Sequence, residues 1–281
     1  MILVTGAGGK TGMAVVAALA ARGAAVRALV HRTEHGGVAT AVGAHEVCVG
    51  SFEDAAALAR AAEDAAAIYH ICSNVSRSEV AYARAVVAAA SGAGVRRLVY
   101  HSVLHPQIEA MPHHWDKMRV EEMLFASGLD VTILQPTAYM QNIALREVFS
   151  DGIHRVPYPV ESRLSLVDLF DVAAVAAQVL TEPGHEGATY ELVGTPPLSQ
   201  VEVAQMLGDW LGRPVRAVAE AVEEWEARAK AAGMGDYQCE TLVKMFRYYA
   251  QHGLRGNPRL LSWLLGRPTT TLAEFLERAR G

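Results

Sequence analysis

The first twelve residues do most to limit what this chain can fold into. An apolar run, Ile2 to Val4, empties without a spacer into Thr5-Gly6-Ala7-Gly8-Gly9-Lys10-Thr11-Gly12, and an alanine-rich stretch, Met13 to Arg22, follows at once. Strand, glycine-rich turn and helix in that order open a βαβ unit that can hold a pyrophosphate. Gly6, Gly9 and Gly12 stand three apart. The first permits the tight turn, the second lets backbone N–H groups approach a phosphate, and the third lets the helix pack on the strand. A helix N-terminus adds partial positive charge, so Lys10 and Thr11 join the glycines as cofactor-binding candidates. The alternative is an incidental glycine-rich turn. A Walker loop is excluded, because Lys10-Thr11 lacks the earlier glycine at the required distance.

The rhythm set by this opening continues. Apolar runs at Ala25 to Val30, Glu46 to Val49, Ala67 to Ile71, Arg97 to His101 and Val131 to Leu134 alternate with helical stretches at Asp54 to Ala62, Glu79 to Ala90 and Asp116 to Ala126. Runs without polar alternation imply strands covered on both faces, hence a parallel sheet between helices. Gly23, Gly43, Gly92, Gly94 and Gly128 sit where helices should stop. The expected fold is α/β: a Rossmann-type, doubly wound parallel sheet with a small, mostly helical C-terminal cap. Residues 1–150 form the dinucleotide-binding core and residues 164–195 return to its sheet, through a helix at Leu169 to Leu180 and a strand at Thr189 to Val193. Residues 151–163 and 196–281 form the substrate-side cap. Ala138 to Phe149 is expected as a helix, and Gly152 to Val160 as loop and edge strand.

Composition removes other classes. With 25 Lys plus Arg against 30 Asp plus Glu the chain is acidic, which argues against direct nucleic-acid binding. Cys48, Cys72 and Cys239 are odd in number and scattered, giving neither a disulfide framework nor a metal knuckle; a reducing, cytoplasmic setting is expected. No apolar stretch reaches the ~20 residues of a bilayer span, so no membrane role is expected. His101, His105, His113 and His114 lack the spacing and companion ligands of a zinc site, and no metal is expected.

Cofactor choice should be written at the end of the second strand. His31-Arg32-Thr33 follows Val30 with no acid before Glu34, which favours NADP(H) over NAD(H), although Arg32 could equally be a solvated loop residue. Ser51 and Phe52, then Cys72, Ser73 and His101 at later strand ends, complete the cofactor-binding candidates; Phe52 either flanks adenine or packs. Only Lys10, Lys117, Lys230 and Lys244 are lysines, so a chain that prefers arginine places two of four where a dinucleotide enzyme would use them.

Tyr100-His101-Ser102-Val103 and His113-His114-Trp115-Asp116-Lys117, read with the glycine loop, resemble the short-chain dehydrogenase/reductase superfamily. More narrowly, Thr-Gly-Ala-Gly-Gly-Lys-Thr-Gly, the lysine-bearing helix and Thr132 to Asn142 look like the NmrA-like family of atypical members. The resemblance implies a serine after strand five and a lysine on the nicotinamide ribose, matched by Ser102 and Lys117. It also implies a tyrosine acid four residues before the lysine, where this chain has His113, either a proton donor or a bystander. Pro136, Thr137 and Ala138 would pass the nicotinamide, with Tyr139, Met140 and Asn142 toward substrate and Tyr139 a further catalytic candidate; the alternative sets Tyr139 in the core.

The expected function is thus an NADP(H)-dependent oxidoreductase delivering hydride to a small quinone-, enone- or carbonyl-type acceptor. The alternative is a non-enzymatic NAD(P)H-binding redox sensor acting through a protein partner, with a sugar-nucleotide epimerase third. A homo-oligomer is compatible with either reading.

Overall fold

A computed structural model describes residues 1–72 and 75–280. Its first part alternates strictly: β1 (Ile2–Val4), α1 (Lys10–Ala21), β2 (Val26–Val30), α2 (Glu34–Ala41), β3 (Glu46–Val49) and α3 (Ala55–Ala62). Then come β4 (Ala67–His70), α4 (Glu79–Gly92), β5 (Arg97–His101), α5 (Pro112–Phe125) and β6 (Asp130–Pro136). The rhythm breaks at β7 (Ala138–Tyr139), a 3-10 turn (Met140–Asn142), α6 (Leu145–Asp151), β8 (Ile153–Val156), β9 (Arg163–Leu164) and β10 (Leu166–Val167). After α7 (Leu169–Thr181), β11 (Thr189–Leu192) and β12 (Leu198–Ser199) follow α8 (Gln200–Leu211) and β13 (Arg216–Ala219). Four helices close the chain: α9 (Val222–Ala231), α10 (Asp236–His252), α11 (Arg259–Leu265) and α12 (Leu272–Arg280).

Two compact units emerge. One comprises residues 1–107, 114–135 and 172–190; the other comprises residues 108–113, 136–171 and the chain from Glu191 onward.

The first unit is built on a seven-stranded sheet of order β11-β6-β5-β4-β1-β2-β3. The pairs β1–β2, β1–β4, β2–β3, β4–β5 and β5–β6 are all parallel. β11 runs the same way, since Ile133 N–H donates to Ala188 O at 2.9 Å and Thr137 N–H to Leu192 O at 3.1 Å. This is the doubly wound arrangement expected from the sequence, and its order reverses between β1 and β4, where such sheets open a crevice at the strands' carboxyl ends. All four residues of β4 are buried, which is why the strand reads as an unbroken apolar run. Leu3, Leu58, Ile68, Leu98, Leu124 and Ile133 form one packed cluster that fixes the strand ends.

The second unit holds three two-stranded pairs, β7–β10, β9–β12 and β8–β13, around a core that includes Met140, Val148, Leu207, Phe275 and Leu276. Ser199 starts α8 with a reciprocal capping box to Glu202. Asp168 and Asp171, both fully buried, gather basic and hydroxyl groups from the end of the chain. Asp171 accepts from Arg267 at 2.7 Å, from Thr270 N–H at 2.7 Å and from the Thr270 hydroxyl at 2.9 Å, while Asp168 pairs with Arg278.

Three local expectations need correction. Ala138 to Phe149 is not one helix: Ala138–Tyr139 spends its backbone on Leu166–Val167, so the helix starts only at Leu145. α5 begins at Pro112 rather than Asp116, with proline in the first turn where its missing N–H costs nothing. Of the five glycines expected to stop helices, Gly92 is the last residue of α4 and lacks the positive φ that Gly23, Gly43, Gly94 and Gly128 adopt.

Candidate active site

The glycine loop joins β1 to α1 beside the point where the strand order reverses. Gly6 sits at φ +60°, and a Cβ there would lie 2.7 Å from the carbonyl of Ile71. At Gly12 a Cβ would lie 2.3 Å from the carbonyl of Gly6, so helix and loop touch backbone to backbone. Gly9 differs. Its φ of −89° suits any residue, and a Cβ there meets only Gly6 O at an ordinary 3.5 Å. Nothing described in the chain asks for glycine at this position, which leaves a cradle that a side chain would fill. Among the described residues no side chain caps α1, and its first turn holds no acid. Such an N-terminus suits an anion. Lys10 is exposed in that turn, and partial burial draws its pKa down; Thr11 is buried.

Toward the other end of the loop, Thr5 Oγ1 hydrogen-bonds His70 Nδ1 at 3.0 Å, tying β1 to β4. His31 and Arg32 are exposed at the end of β2, and Arg32 reaches Glu34 at 3.7 Å. Ser51 Oγ accepts from Glu53 N–H. Phe52 stacks on Tyr82 at 5.1 Å and meets the His70 ring edge-on at 5.4 Å, so it is packed within this unit. Cys72 is buried; Ser73 lies outside the described residues.

Lys117 projects from the middle of α5 into a buried polar cluster. Its Nζ donates to Glu79 Oε1 at 3.0 Å and to the His101 carbonyl at 3.2 Å, and it lies 5.2 Å from the centre of the Tyr100 ring. The Tyr100 hydroxyl donates to the same Glu79 oxygen at 2.8 Å. Burial alone would raise the Glu79 pKa, but the charge of Lys117, the nearby His70 ring and the bonds from Lys117 and Tyr100 bring it below the usual carboxylate range. Burial, aided by the Lys117 charge, drives His101 down to about 3, and its Nδ1 hydrogen-bonds the Tyr69 hydroxyl. Ser102, the next residue, donates its hydroxyl proton to Glu121, whose two oxygens accept from Gln135 Nε2 at 2.9 and 3.0 Å. Glu121 is itself buried, one helical turn beyond Lys117.

The remaining candidates belong to the second unit. Pro136 and Thr137 are buried, and the Thr137 hydroxyl donates to Ser165 O at 2.9 Å. Ala138 and Tyr139 are half-buried on β7, Met140 is fully buried in that unit's core, and Asn142 is exposed. His113 is half-buried in the first turn of α5. Within the first unit the fold therefore gathers the glycine loop, His101, Ser102 and Lys117 at the carboxyl edge of the sheet.

Sequence reading overlooked Glu79, Tyr100, Glu121 and Gln135. One signal was available for Glu121: it follows Lys117 by four residues on the face that also carries Val120 and Leu124, both buried. Glu79 offered none, because an acid in the first turn of a helix is ordinary. Among the described residues no group of three or more His, Cys, Asp or Glu side chains could hold a metal ion. No helix among them is long and apolar enough to cross a membrane.

A nucleotide-gripping loop on a doubly wound sheet, with a buried lysine and serine at the neighbouring strand ends, defines a class of dinucleotide-binding proteins. The sequence model of the NmrA-like family matches residues 1–277, and the chain belongs to that family. It is 29% identical over 278 residues to quinone oxidoreductase 2 of Escherichia coli, covering 98% of this chain and 96% of that one. It is 33% identical to an NAD(P)H azoreductase of Xenophilus azovorans, covering 68% of each chain. Among solved structures, the NADPH-dependent quinone oxidoreductase of Escherichia coli complexed with NADPH superimposes with a TM-score of 0.85 at 28% identity, over 100% of both chains.

Proposed function

We propose that this protein is a cytoplasmic, NADP(H)-dependent reductase of the NmrA-like type, acting on a small quinone-, enone- or carbonyl-type acceptor. The observation that carries this reading is the end-to-end match, in sequence and fold, to a quinone oxidoreductase that binds NADPH. The cradle at Gly9 fits the same cofactor. When bound, NADPH supplies the hydride. The chain's own residues do the rest: Gly6, Gly9, Lys10, Thr11 and Gly12 hold the pyrophosphate, and Arg32, with His31, faces the 2′-phosphate in preference to the bare ribose of NAD(H). Ser51, Phe52 and Cys72 bound the adenosine side, while His101 and Lys117 shape the nicotinamide end of the first unit; Pro136, Thr137 and Ala138 are the second unit's own cofactor candidates. Ser102 and Lys117 would meet negative charge on the acceptor, and His113 and Tyr139 are the proton-donor candidates. Tyr139, Met140 and Asn142 would set acceptor shape.

One observation favours a second reading, a redox sensor that binds the dinucleotide and a protein partner: the Lys117 ammonium is already satisfied by Glu79 and a carbonyl. The deciding experiment screens quinones, enones and aldehydes for loss of NADPH absorbance. Turnover establishes the reductase; tight NADPH binding with no turnover, together with NADPH-dependent binding to a protein, establishes the sensor.

A further inference from the structure

Ser102, Glu121 and Gln135 form a closed cluster inside the first unit, at the carboxyl ends of β5 and β6. All three are buried. Gln135 reaches Glu121 only through its amide N–H groups, so it orients the carboxyl as a donor and takes nothing from it. A serine hydroxyl has one proton and two acceptor sites. While Glu121 is an anion it can only accept, so the single Ser102 proton is spent inward and the serine offers lone pairs in every other direction. A neutral Glu121 carries a proton of its own, donates it in a hydrogen bond to the Ser102 oxygen, and leaves the serine hydroxyl free to donate to an acceptor elsewhere. The charged and titratable groups facing Glu121 are Lys117 on its own helix and Tyr100 on β5; Lys117 is tied in turn to Glu79 of α4. Burial pushes the Glu121 carboxyl above its ordinary range, against the opposing pull of Ser102, Gln135 and Lys117.

Resting on the reductase reading, we propose that Glu121 is a positioning residue that acts through Ser102, deciding whether the serine hydroxyl gives or receives a hydrogen bond where the acceptor oxygen gains negative charge. As hydride reaches the conjugated acceptor, an electron pair of its carbonyl-containing π system moves out to an oxygen. That oxyanion needs a donor, and in sequence His113 replaces the tyrosine that the family resemblance implies four residues before Lys117. Ser102 keeps its proton and only hydrogen-bonds the oxygen; solvent supplies the proton that completes the hydroxyl. The device works with Glu121 neutral and fails with Glu121 charged.

Glu121→Gln separates this role from a structural one. A glutamine presents N–H to Ser102 and a carbonyl to Gln135, fixing the outward-donating state at every pH. With 1,4-naphthoquinone and saturating NADPH, wild-type kcat should fall with rising pH through one ionisation above the ordinary carboxylate range. E121Q should lose that limb and exceed wild type at alkaline pH by on the order of tenfold, less than the ~10²–10³ that a whole oxyanion donor is worth, because wild-type Ser102 is reoriented and not removed. Ser102→Ala should be slow and flat. A readout independent of turnover is carboxyl ¹³C NMR: one glutamate resonance, absent in E121Q, should titrate above the ordinary range and move higher in S102A, which loses the bond to the charged form. An E121Q profile that keeps the wild-type limb, or a wild-type resonance missing from E121Q that titrates at the ordinary glutamate value, overturns the proposal while leaving the reductase standing. No turnover by wild type overturns the reductase reading and this proposal with it.

Discussion

The Lys117 ammonium lies 3.0 Å from a carboxylate oxygen of Glu79, with side-chain exposures of 11% and 4%. Removing either partner leaves the other charge buried and unpaired, which costs about 3–5 kcal/mol. Lys117→Ala should therefore lower the melting temperature as well as activity, and Glu79→Gln added to it should recover part of the stability. The sign with pH follows from the depressed Glu79 pKa. Its contribution is full above the unfolded carboxylate value of about 4.3 and is lost as pH falls through the lower folded value. Thermal melts of wild type and Lys117→Ala should thus converge in acid. A gap that stays constant down to strongly acidic pH would show that the pair contributes nothing.

The glycine loop yields a contrast between neighbours. Gly12→Ala drives a Cβ to within 2.3 Å of the Gly6 carbonyl and should destabilise the fold. Gly9→Val should leave the unfolding free energy within about 1 kcal/mol of wild type, since the backbone there is already extended, and should abolish NADPH binding. Calorimetric binding of NADPH by folded Gly9→Val at wild-type affinity would refute the cradle.

Arg32 is exposed and contacts Glu34 at 3.7 Å. Arg32→Ala should weaken NADPH binding by roughly tenfold, the worth of one charge-assisted hydrogen bond, and leave NADH binding unchanged. Equal loss for both cofactors would move the 2′-phosphate site elsewhere.

Acid should unfold the first unit early. Burial holds His70 down to about 4, His101 to about 3 and His114 to about 4. Each is protonated more readily unfolded, near pH 6.5, than folded. Stability from these groups is complete above that value and is lost as pH falls from it toward 4 and 3. Stability against pH should slope upward across that window, and His101→Gln should flatten part of it. A level profile from pH 6.5 to 4 would contradict the burial of these rings.

The parallel sheet was legible because β1, β4, β5 and β6 are largely buried and so carry mostly apolar runs without regular polar alternation between helix-forming stretches. The glycine loop was legible because its spacing is local. Glu79 and Glu121 were not, since an acid on an alanine-rich or charged helix looks solvated until tertiary packing brings up Lys117, Ser102 and Gln135. Ala138–Tyr139 read as helix because its competing partner, Leu166–Val167, lies far along the chain. Local propensity gives way where a distant strand claims the backbone.

Gly6 and Gly12 are demanded by neighbouring backbone, whereas Gly9 is demanded by nothing in the described chain. A duplicated gene freed from nucleotide binding would thus go on purging substitutions at the outer two codons, while the middle one drifted at the neutral rate. Among descendants of this protein, that single codon would distinguish copies still in service from those kept only for their shape.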